Sequence, residues 1–272
     1  MDIVDRTVRD IKSLKIQGAY HIAIAAINAW DKAKNKKVAL KKLVSARPTE
    51  PMLRNCLNYY LGKNHNVKIF IKKLQADQKK IAKIGAEKIK DGMIVYTHCH
   101  SSTVNDILVQ AKKDGKKFEV HVTETRPFFQ GRLTAKQLSS AKIPVTLFVD
   151  SAARLALKKA DLMMIGADAI TADGCVINKI GSELMAEVAN HYHIPVFVCT
   201  HSWKFDPMTV FGFEEEIEKR SEREVWKNPP EGVKISNFAF EKVDPKKITG
   251  IISELGILKP SVFVEEVKKI IF

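Results

Sequence analysis

The sequence lacks the cysteine patterns of a disulfide framework or a zinc site. Its cysteines are widely spaced, and no two of them form a C-x-x-C pair. Glycine-rich nucleotide motifs are also missing, since no G-x-G-x-x-G, P-loop or G-x-S-x-G stretch occurs. No apolar run approaches the roughly 18 residues of a membrane span, and no signal peptide is recognisable. We therefore predict a cytoplasmic protein with no membrane contact, no metal and no cofactor.

Acidic residues are scarce in the first third of the chain. Residues 1–90 contain 21 Lys and Arg against 7 Asp and Glu, whereas the rest of the chain is balanced. Such an excess predicts a surface that meets nucleic acid or an acidic protein, and a solvated lysine-rich helix face is the alternative. Few aromatic residues lie near these lysines to stack on bases, so a protein partner is favoured over direct RNA binding. The lysines expected to form one exposed patch are Lys34, Lys36, Lys37, Lys41 and Lys42.

The periodicity of apolar residues divides the chain at about residue 91. Before this point the pattern is helical, as in DIVDRTVRDIKSL and GAYHIAIAAINAW, and a long last helix is expected to end at Gly92. From Gly92 onward, short β-branched runs alternate with helical stretches, which is typical of parallel β-α-β units. We predict an α/β protein with a helical domain over 1–91 and a Rossmann-like, mostly parallel, doubly wound domain over 92–272.

Reactive or hydrogen-bonding residues follow five successive predicted strands. The segments are THCHSS, TETRP, DSAA, GADAI and THSWK. Ligands in doubly wound sheets bind outside the carboxyl ends of the strands, so these loops are predicted to form one site. Arg126, Lys179 and Lys204 lie in this set, and hydroxyl side chains open a helix beside them. A helix N-terminus next to cations favours a phosphate or another anion.

The motif YTHCHSSTV allows several chemistries. Zinc needs three or four ligands and no partner cluster accompanies His98 and His100, so metal binding is not predicted. Cys99 could be a buried structural thiol, or a reactive one whose pKa is lowered by the helix start that follows it. Asp168 could cap the turn after its strand or take part in the site.

These motifs resemble a known family. THCHS, VTETRPFFQG, FVDSAA, KADLMMIGADAI, VINKIG and WKF are similar to the regulatory-subunit family of eukaryotic initiation factor 2B, over nearly the whole chain. The family also contains archaeal factor 2B-like proteins, ribose-1,5-bisphosphate isomerase and methylthioribose-1-phosphate isomerase. The resemblance implies a helical N-terminal domain, a Rossmann-like C-terminal domain and dimers assembled through the latter.

The resemblance also assigns candidate site residues. In the family's isomerases the cysteine after TH and the aspartate of GAD form an acid/base pair, and the matching residues are Cys99 and Asp168. Implied substrate contacts are Arg47, Ser101, Ser102, Thr103, Asn178, Lys179 and Lys204. The isomerases hold substrate phosphate with an R-G-A-G loop, whereas this chain has Gln17, Gly18, Ala19 and Tyr20. Gln17 removes a charge, and Tyr20 places a ring where glycine allows close backbone approach.

The altered loop decides between two functions. The main prediction is an archaeal translation initiation factor 2B-like protein, a homodimer or larger assembly associated with guanine-nucleotide exchange and with initiation factor 2 subunits. It would retain a pocket for a phosphorylated sugar or a nucleotide. The alternative is an aldose–ketose isomerase of a phosphorylated pentose, most like ribose-1,5-bisphosphate isomerase. In that case Asp168 protonates the ring oxygen and Cys99 removes the C2 proton.

Overall fold

The amino-terminal part of the molecule is a bundle of short helices. The computed structural model describes residues 2–13, 15–16, 18–47, 50–61, 66–214 and 217–271. Gln17 of the predicted phosphate loop therefore lies outside the described residues. The bundle helices are α1 Ile3–Lys12, α2 Ala19–Asp31, α3 Lys36–Val44, α4 Pro51–Leu61 and α5 Val67–Ala86.

Local sequence explains where these helices begin. The side chain of Asn35 accepts a hydrogen bond from the backbone N–H of Val38 at the start of α3, and Asn66 caps α5 in the same way. Helix α2 is apolar on most faces, and its buried residues Ile22, Ala26 and Ile27 form the centre of the bundle core. Each fully buried isoleucine contributes about 1.5–3 kcal/mol relative to an exposed one. The bundle is thus held by α2, around which the other helices pack.

The second part is a doubly wound sheet with a small second sheet. Its strands are β1 Ile94–Thr97, β2 Glu119–Thr123, β3 Val145–Phe148, β4 Leu162–Ile165, β5 Ala169–Ile170, β6 Val176–Lys179, β7 Val196–Cys199, β8 Phe240–Val243, β9 Gly250–Ser253 and β10 Gly256–Leu258. Its helices are α6 Ser102–Lys113, α7 Gln130–Ser140, α8 Ala153–Leu157, α9 Ser182–His191 and α10 Pro260–Ile271.

The large sheet has seven strands in the order β10-β9-β7-β4-β1-β2-β3, and only β10 pairs in antiparallel fashion. Neighbouring parallel strands are joined by helices that cover both faces, so β4 and β7 are buried throughout. Strand β2 lies on one side of β1 and β4 lies on the other, so the strand order reverses at β1. Ligand sites form at such a switch point. The predicted fold class is confirmed.

Strands β5, β6 and β8 form a separate antiparallel sheet of three strands, which the sequence did not reveal. Residues Asn178 and Lys179 of β6 pair with Glu241 and Phe240 of β8. This pairing brings a distant segment of the chain beside the loop after β4. The small sheet therefore forms one wall of the region described below.

Helix α5 connects the two parts of the molecule. Phe70 and Leu74 belong to the core of the bundle, whereas Ile81 packs with Ile107 of α6 on one face of the large sheet. A Cβ atom on Gly85 would lie 2.4 Å from Ile107, so glycine allows the close approach of α5 and α6. The helix ends at Ala86, earlier than the predicted end at Gly92, and turns lead into β1. The domain division at residue 91 stays a prediction.

Within the described ranges, no helix combines the length and the apolar content that crossing a bilayer requires.

Candidate functional site

A cavity of about 220 Å³ lies at the carboxyl ends of the central strands, against the helical bundle. It brings together ten of the residues singled out from the sequence. These are Gly18, Ala19, Arg47, Cys99, Ser101, Ser102, Asp168, Asn178, Lys179 and Lys204. The loops after β1, β4 and β7 all reach it, as expected for a doubly wound sheet.

Three other predicted residues do not line this cavity. Tyr20 packs against the bundle core and lies edge-on to His21, with ring centroids 5.5 Å apart. Thr103 is buried under the first turn of α6, where its hydroxyl lies 3.5 Å from the Gln78 amide nitrogen. Arg126 is exposed and stacks on Phe129. Neighbouring residues on a turn or a helix point in different directions, so a residue beside a lining residue need not line the cavity itself.

Cys99 is held in a sharp turn at the end of β1. Its φ of 67° lies in the left-handed region, which costs a non-glycine residue about 1–2 kcal/mol. Two hydrogen bonds fix the turn: the Cys99 N–H donates to Thr125 Oγ1 at 3.0 Å, and Thr134 Oγ1 donates to the Cys99 carbonyl at 2.8 Å. The thiol lies 3.5 Å from Gln130 Oε1. The strained turn thereby places the thiol at the wall of the cavity.

Burial raises the pKa of the Cys99 thiol to about 11, although the nearby Lys179 ammonium acts in the opposite direction. The direction is that of a buried thiol and opposite to the lowering that a helix start would cause, because loss of solvent around the sulfur is the largest effect. Cys99 is therefore a protonated thiol at neutral pH.

The two histidines beside Cys99 differ in surroundings. The ring of His98 is enclosed by hydrogen-bond partners, Thr123 Oγ1 at 2.7 Å and the Ile180 carbonyl at 2.9 Å. Burial lowers the pKa of His98 to about 4, so the neutral ring donates from Nε2 to the carbonyl and accepts at Nδ1. His100 is partly buried and lies 3.0 Å from Thr134 Oγ1 through Nδ1. His98 thus anchors the loop, and His100 lines the cavity wall.

Asp168 reaches the cavity from the loop after β4. Its backbone N–H donates to the Ile177 carbonyl at 2.8 Å, which ties the loop to the small sheet. A Cβ atom on the nearby Gly166 would lie 2.7 Å from Ser101 Oγ, so only glycine lets the β1 and β4 loops approach this closely. Ser101 also caps α6 by accepting from the Val104 N–H at 3.4 Å. Cys99 and Asp168 consequently share one cavity.

Two buried lysines supply positive charge. Lys204 donates to the Ala167 carbonyl at 2.5 Å, and the Lys179 ammonium lies 4.5 Å from the centre of the Phe240 ring. Asn178 is fixed by a 2.9 Å hydrogen bond to Ser182 Oγ. Neither lysine has a carboxylate partner among the salt bridges of the described residues. Buried cations without a paired anion favour an anionic ligand.

Several lining residues were missed from the sequence. They are His21, Phe128, Gln130, Leu133, Glu218, Arg220, Ala239 and Phe240. Arg220 is held by Glu218 at 2.9 Å and Glu224 at 2.9 Å, and it stacks on Phe128 at 5.1 Å. The motif VTETRPFFQG contains Phe128 and Gln130 and gave a signal for them. The segment around Arg220 gave none, because it belongs to no predicted strand.

One group of side chains in the described part of the chain could hold a metal ion, and none of its members lines the cavity. Ligand atoms of Asp77, His201 and Glu254 lie within 4.8 Å of one another. Asp77 already accepts from Lys73 at 2.7 Å, and Glu254 accepts from the N–H and hydroxyl of Ser202. Burial acts to raise the pKa of Glu254, but His201 and Ser202 outweigh it and hold that pKa at about 2. These contacts join α5 to the segment before Lys204.

The predicted lysine patch on the bundle is partly occupied by internal contacts. Lys36 donates to the Trp30 and Asp31 carbonyls at 2.8 and 2.5 Å, so it closes the end of α2. Lys42 pairs with Asp5 at 2.6 Å. Lys34, Lys37 and Lys41 are exposed.

Comparisons with known proteins place the chain among similar sequences of nearly equal length. The initiation factor 2 subunit family matches residues 15–260. The ribose 1,5-bisphosphate isomerase of Methanocaldococcus jannaschii is 39% identical, over 96% of this chain and 92% of its own length. The protein of the same name from Archaeoglobus fulgidus is 38% identical, over 96% of this chain and 91% of its own.

A solved structure has the same fold. The translation initiation factor eIF-2B of Pyrococcus horikoshii OT3 superimposes with a TM-score of 0.86 at 28% identity, covering 96% of this chain and 98% of that one.

These relatives contradict the main functional prediction. The relatives of 38–39% identity are named isomerases, whereas the similar structure described as an initiation factor is 28% identical. The prediction of a regulatory initiation factor, drawn from the altered loop at Gln17, is therefore wrong. Guanine-nucleotide exchange and partnership with initiation factor 2 subunits rested on the same interpretation.

Proposed function

The chain belongs to the initiation factor 2 subunit family, and we propose that it is an aldose–ketose isomerase that converts ribose 1,5-bisphosphate to ribulose 1,5-bisphosphate. The observation that carries this proposal is that Cys99 and Asp168 line one cavity together with four cationic side chains. An acid and a base beside an anion site are what the isomerisation of a sugar phosphate needs.

The charge of the cavity supports a substrate with two phosphates. Arg47, Lys179, Lys204 and Arg220 all line it, and two of them are buried lysines. Arg220 is already paired with Glu218 and Glu224, which leaves Arg47 and the two buried lysines to face a ligand. Methylthioribose 1-phosphate carries a single phosphate and an apolar methylthio group, so it would neutralise fewer of these three charges than a bisphosphate does. The names of the relatives agree with the bisphosphate.

Ring opening is the first step, because a phosphate on the anomeric carbon blocks spontaneous opening. Protonated Asp168 donates its proton to the ring oxygen as the bond between C1 and that oxygen breaks. The electron deficiency left at C1 is shared with the oxygen of the 1-phosphate. Hydrogen bonds from Lys179 and Asn178 would hold the sugar during this step.

Proton transfer between carbons is the second step. The Cys99 thiolate removes the proton from C2, and the electrons of that bond form a C1–C2 double bond, giving an enol. The thiol then returns the proton to C1 as the enol hydroxyl gives its own proton to the Asp168 carboxylate. C2 becomes a carbonyl, and both side chains regain their starting protonation. No oxidant or reductant is consumed.

The protonation state of Cys99 has to change when substrate binds. Since burial raises the pKa of the thiol to about 11, the thiolate must be stabilised when substrate is bound. Lys179 lowers that pKa and is the cation that can provide this stabilisation.

Self-association is a further part of the proposal. The resemblance to the family implies a homodimer or a larger assembly in the cytoplasm. Size-exclusion chromatography with light scattering would detect a monomer and so reject this assembly.

The direct test is incubation of the purified protein with ribose 1,5-bisphosphate, followed by ³¹P and ¹³C NMR. We expect ribulose 1,5-bisphosphate to accumulate, and methylthioribose 1-phosphate to remain unchanged or to react much more slowly. Absence of ribulose 1,5-bisphosphate with an active relative as positive control would reject the proposal. Faster turnover of methylthioribose 1-phosphate would retain the reaction type and reject the substrate.

A further inference from the structure

A buried carboxyl group with an unsatisfied oxygen lies behind the cavity. Glu50 is 1% exposed, and its Oε1 has no hydrogen-bond partner among the described residues. Its Oε2 lies 3.8 Å from Arg47 Nε, too long for a hydrogen bond. Backbone contacts fix the position, since the Glu50 N–H donates to the Arg47 carbonyl at 3.2 Å. An ionised carboxylate in this environment is poorly compensated.

The charges that act on Glu50 all belong to the cavity. Arg47 and Lys204 stabilise its ionised form, whereas Asp168 and Glu218 destabilise it. These four side chains come from four separate segments, and each of them lines the cavity. Glu50 therefore lies outside the cavity lining, but it interacts electrostatically with both the cationic and the acidic side chains that line the cavity.

Glu50 is poised to exchange a proton near neutral pH. Burial raises the pKa of its carboxyl to about 7, because the opposing effects of Arg47 and Lys204 do not offset the loss of solvent. Both protonation states of Glu50 are therefore populated near pH 7.

We propose that Glu50 is a positioning residue that takes up a proton when a phosphate binds at Arg47, so that Arg47 faces the phosphate without a carboxylate charge behind it. The bound phosphate adds negative charge near the ionised carboxylate of Glu50, and both would draw on the positive charge of Arg47. Neutral Glu50 removes this repulsion. The inference rests on the proposed function, because it needs a phosphorylated ligand at Arg47.

Affinity then depends on pH through Glu50. The ligand binds the form with neutral Glu50 more tightly, so the affinity falls as pH rises through 7. The fall is about tenfold for each unit by which the bound phosphate raises the pKa of Glu50. Glu50→Gln keeps the shape and remains neutral, so its affinity should lack this dependence. Any titration of the ligand's own phosphates is common to both proteins and cancels in the comparison.

The test is calorimetric titration of ribose 1,5-bisphosphate into protein carrying Cys99→Ser, which prevents turnover. Each titration is done at pH 7 in two buffers of different ionisation enthalpy, so that the protons taken up are measured. We expect Glu50→Gln to take up about half a proton less than the background protein. Glu187→Gln, an exposed change outside the cavity, is the matched control and should not alter proton uptake.

The outcomes separate this inference from the proposed function. Binding with equal proton uptake in the background and Glu50→Gln proteins would overturn the role of Glu50 and leave the isomerase proposal standing. Failure of the background protein to bind the bisphosphate would remove the proposed function itself. If Glu50→Gln does not fold, the background protein is titrated with inorganic sulfate, whose own charge does not change between pH 6 and 8, and an affinity for sulfate that does not fall over this range contradicts the inference.

Discussion

The helical bundle and the α/β part contribute differently to the cavity that lies between them. The bundle supplies Gly18, Ala19, His21 and Arg47, which can contact a ligand and carry charge but offer no acid/base pair. The α/β part supplies Cys99 and Asp168 at strand ends, together with the buried Lys179 and Lys204. Substitutions in the bundle should therefore change mainly KM, whereas substitutions at the strand ends should change mainly kcat.

The largest expected effect comes from the α/β part. Cys99→Ser should lower kcat for ribose 1,5-bisphosphate by about 10²–10⁴-fold, because the hydroxyl is a far weaker acid than the thiol and cannot serve as the base. Steady-state kinetics should show a KM close to that of the parent. Cys175→Ser, a partly exposed cysteine that does not line the cavity, is the matched control and should keep full activity.

The helical bundle should give the next largest effect. Arg47→Met preserves much of the length and removes the charge, so a charge-assisted hydrogen bond of about 1.5–3 kcal/mol is lost. We expect KM to rise by about 10–100-fold with kcat changed much less. Arg6→Met changes an exposed arginine outside the cavity and should leave both constants unaltered. A large loss of kcat in Arg47→Met would show that the bundle takes part in the chemistry.

The pH dependence of the steady-state constants should report on Cys99 in the α/β part. Because burial raises the pKa of Cys99 to about 11, the thiolate fraction grows with pH up to that value. Since kcat/KM reports the free enzyme, it should rise by up to about tenfold per pH unit between pH 6 and 9, whereas kcat should be flatter because substrate binding stabilises the thiolate. Stopped assays at low and at saturating substrate provide the two constants. A kcat/KM that is flat over this range would contradict the raised pKa.

Exposed lysines of the bundle should have the smallest effect. Lys37→Glu with Lys41→Glu changes charges that are screened over roughly 8 Å at physiological ionic strength. We expect kcat and KM to stay within about twofold of the parent. The same variant tests the predicted protein partner: a pull-down from lysate, with and without nuclease, should lose that partner in the variant only. Equal recovery from both proteins would identify the lysines as a solvated surface.

Much of the fold follows from sequence periodicity, because β1, β2, β3, β4 and β7 are short apolar runs separated by helices. The small sheet was not predictable by the same reasoning. Strand β5 has only two residues, and β8 pairs with β6 across a long segment without regular structure. Pairings between distant segments leave no local pattern in the sequence.

The site was predictable where polar residues directly follow strands. This rule located Cys99, Ser101 and Asp168, but it also selected Arg126, which does not line the cavity. Arg220 and Phe240 come from the segment that forms the small sheet, and Glu50 is a buried acid at the start of a helix. None of these three positions carries a signal that could be read without the tertiary structure.

The central claim is that Cys99 performs proton transfer and does not hold the substrate. The most direct measurement uses one preparation of Cys99→Ser, in which binding of ribose 1,5-bisphosphate by calorimetry and its turnover by NMR are determined side by side with the parent. We predict a Kd within about threefold of the parent's KM-derived affinity, with turnover reduced by at least about 10²-fold. Turnover at the parent's rate in Cys99→Ser would contradict the account.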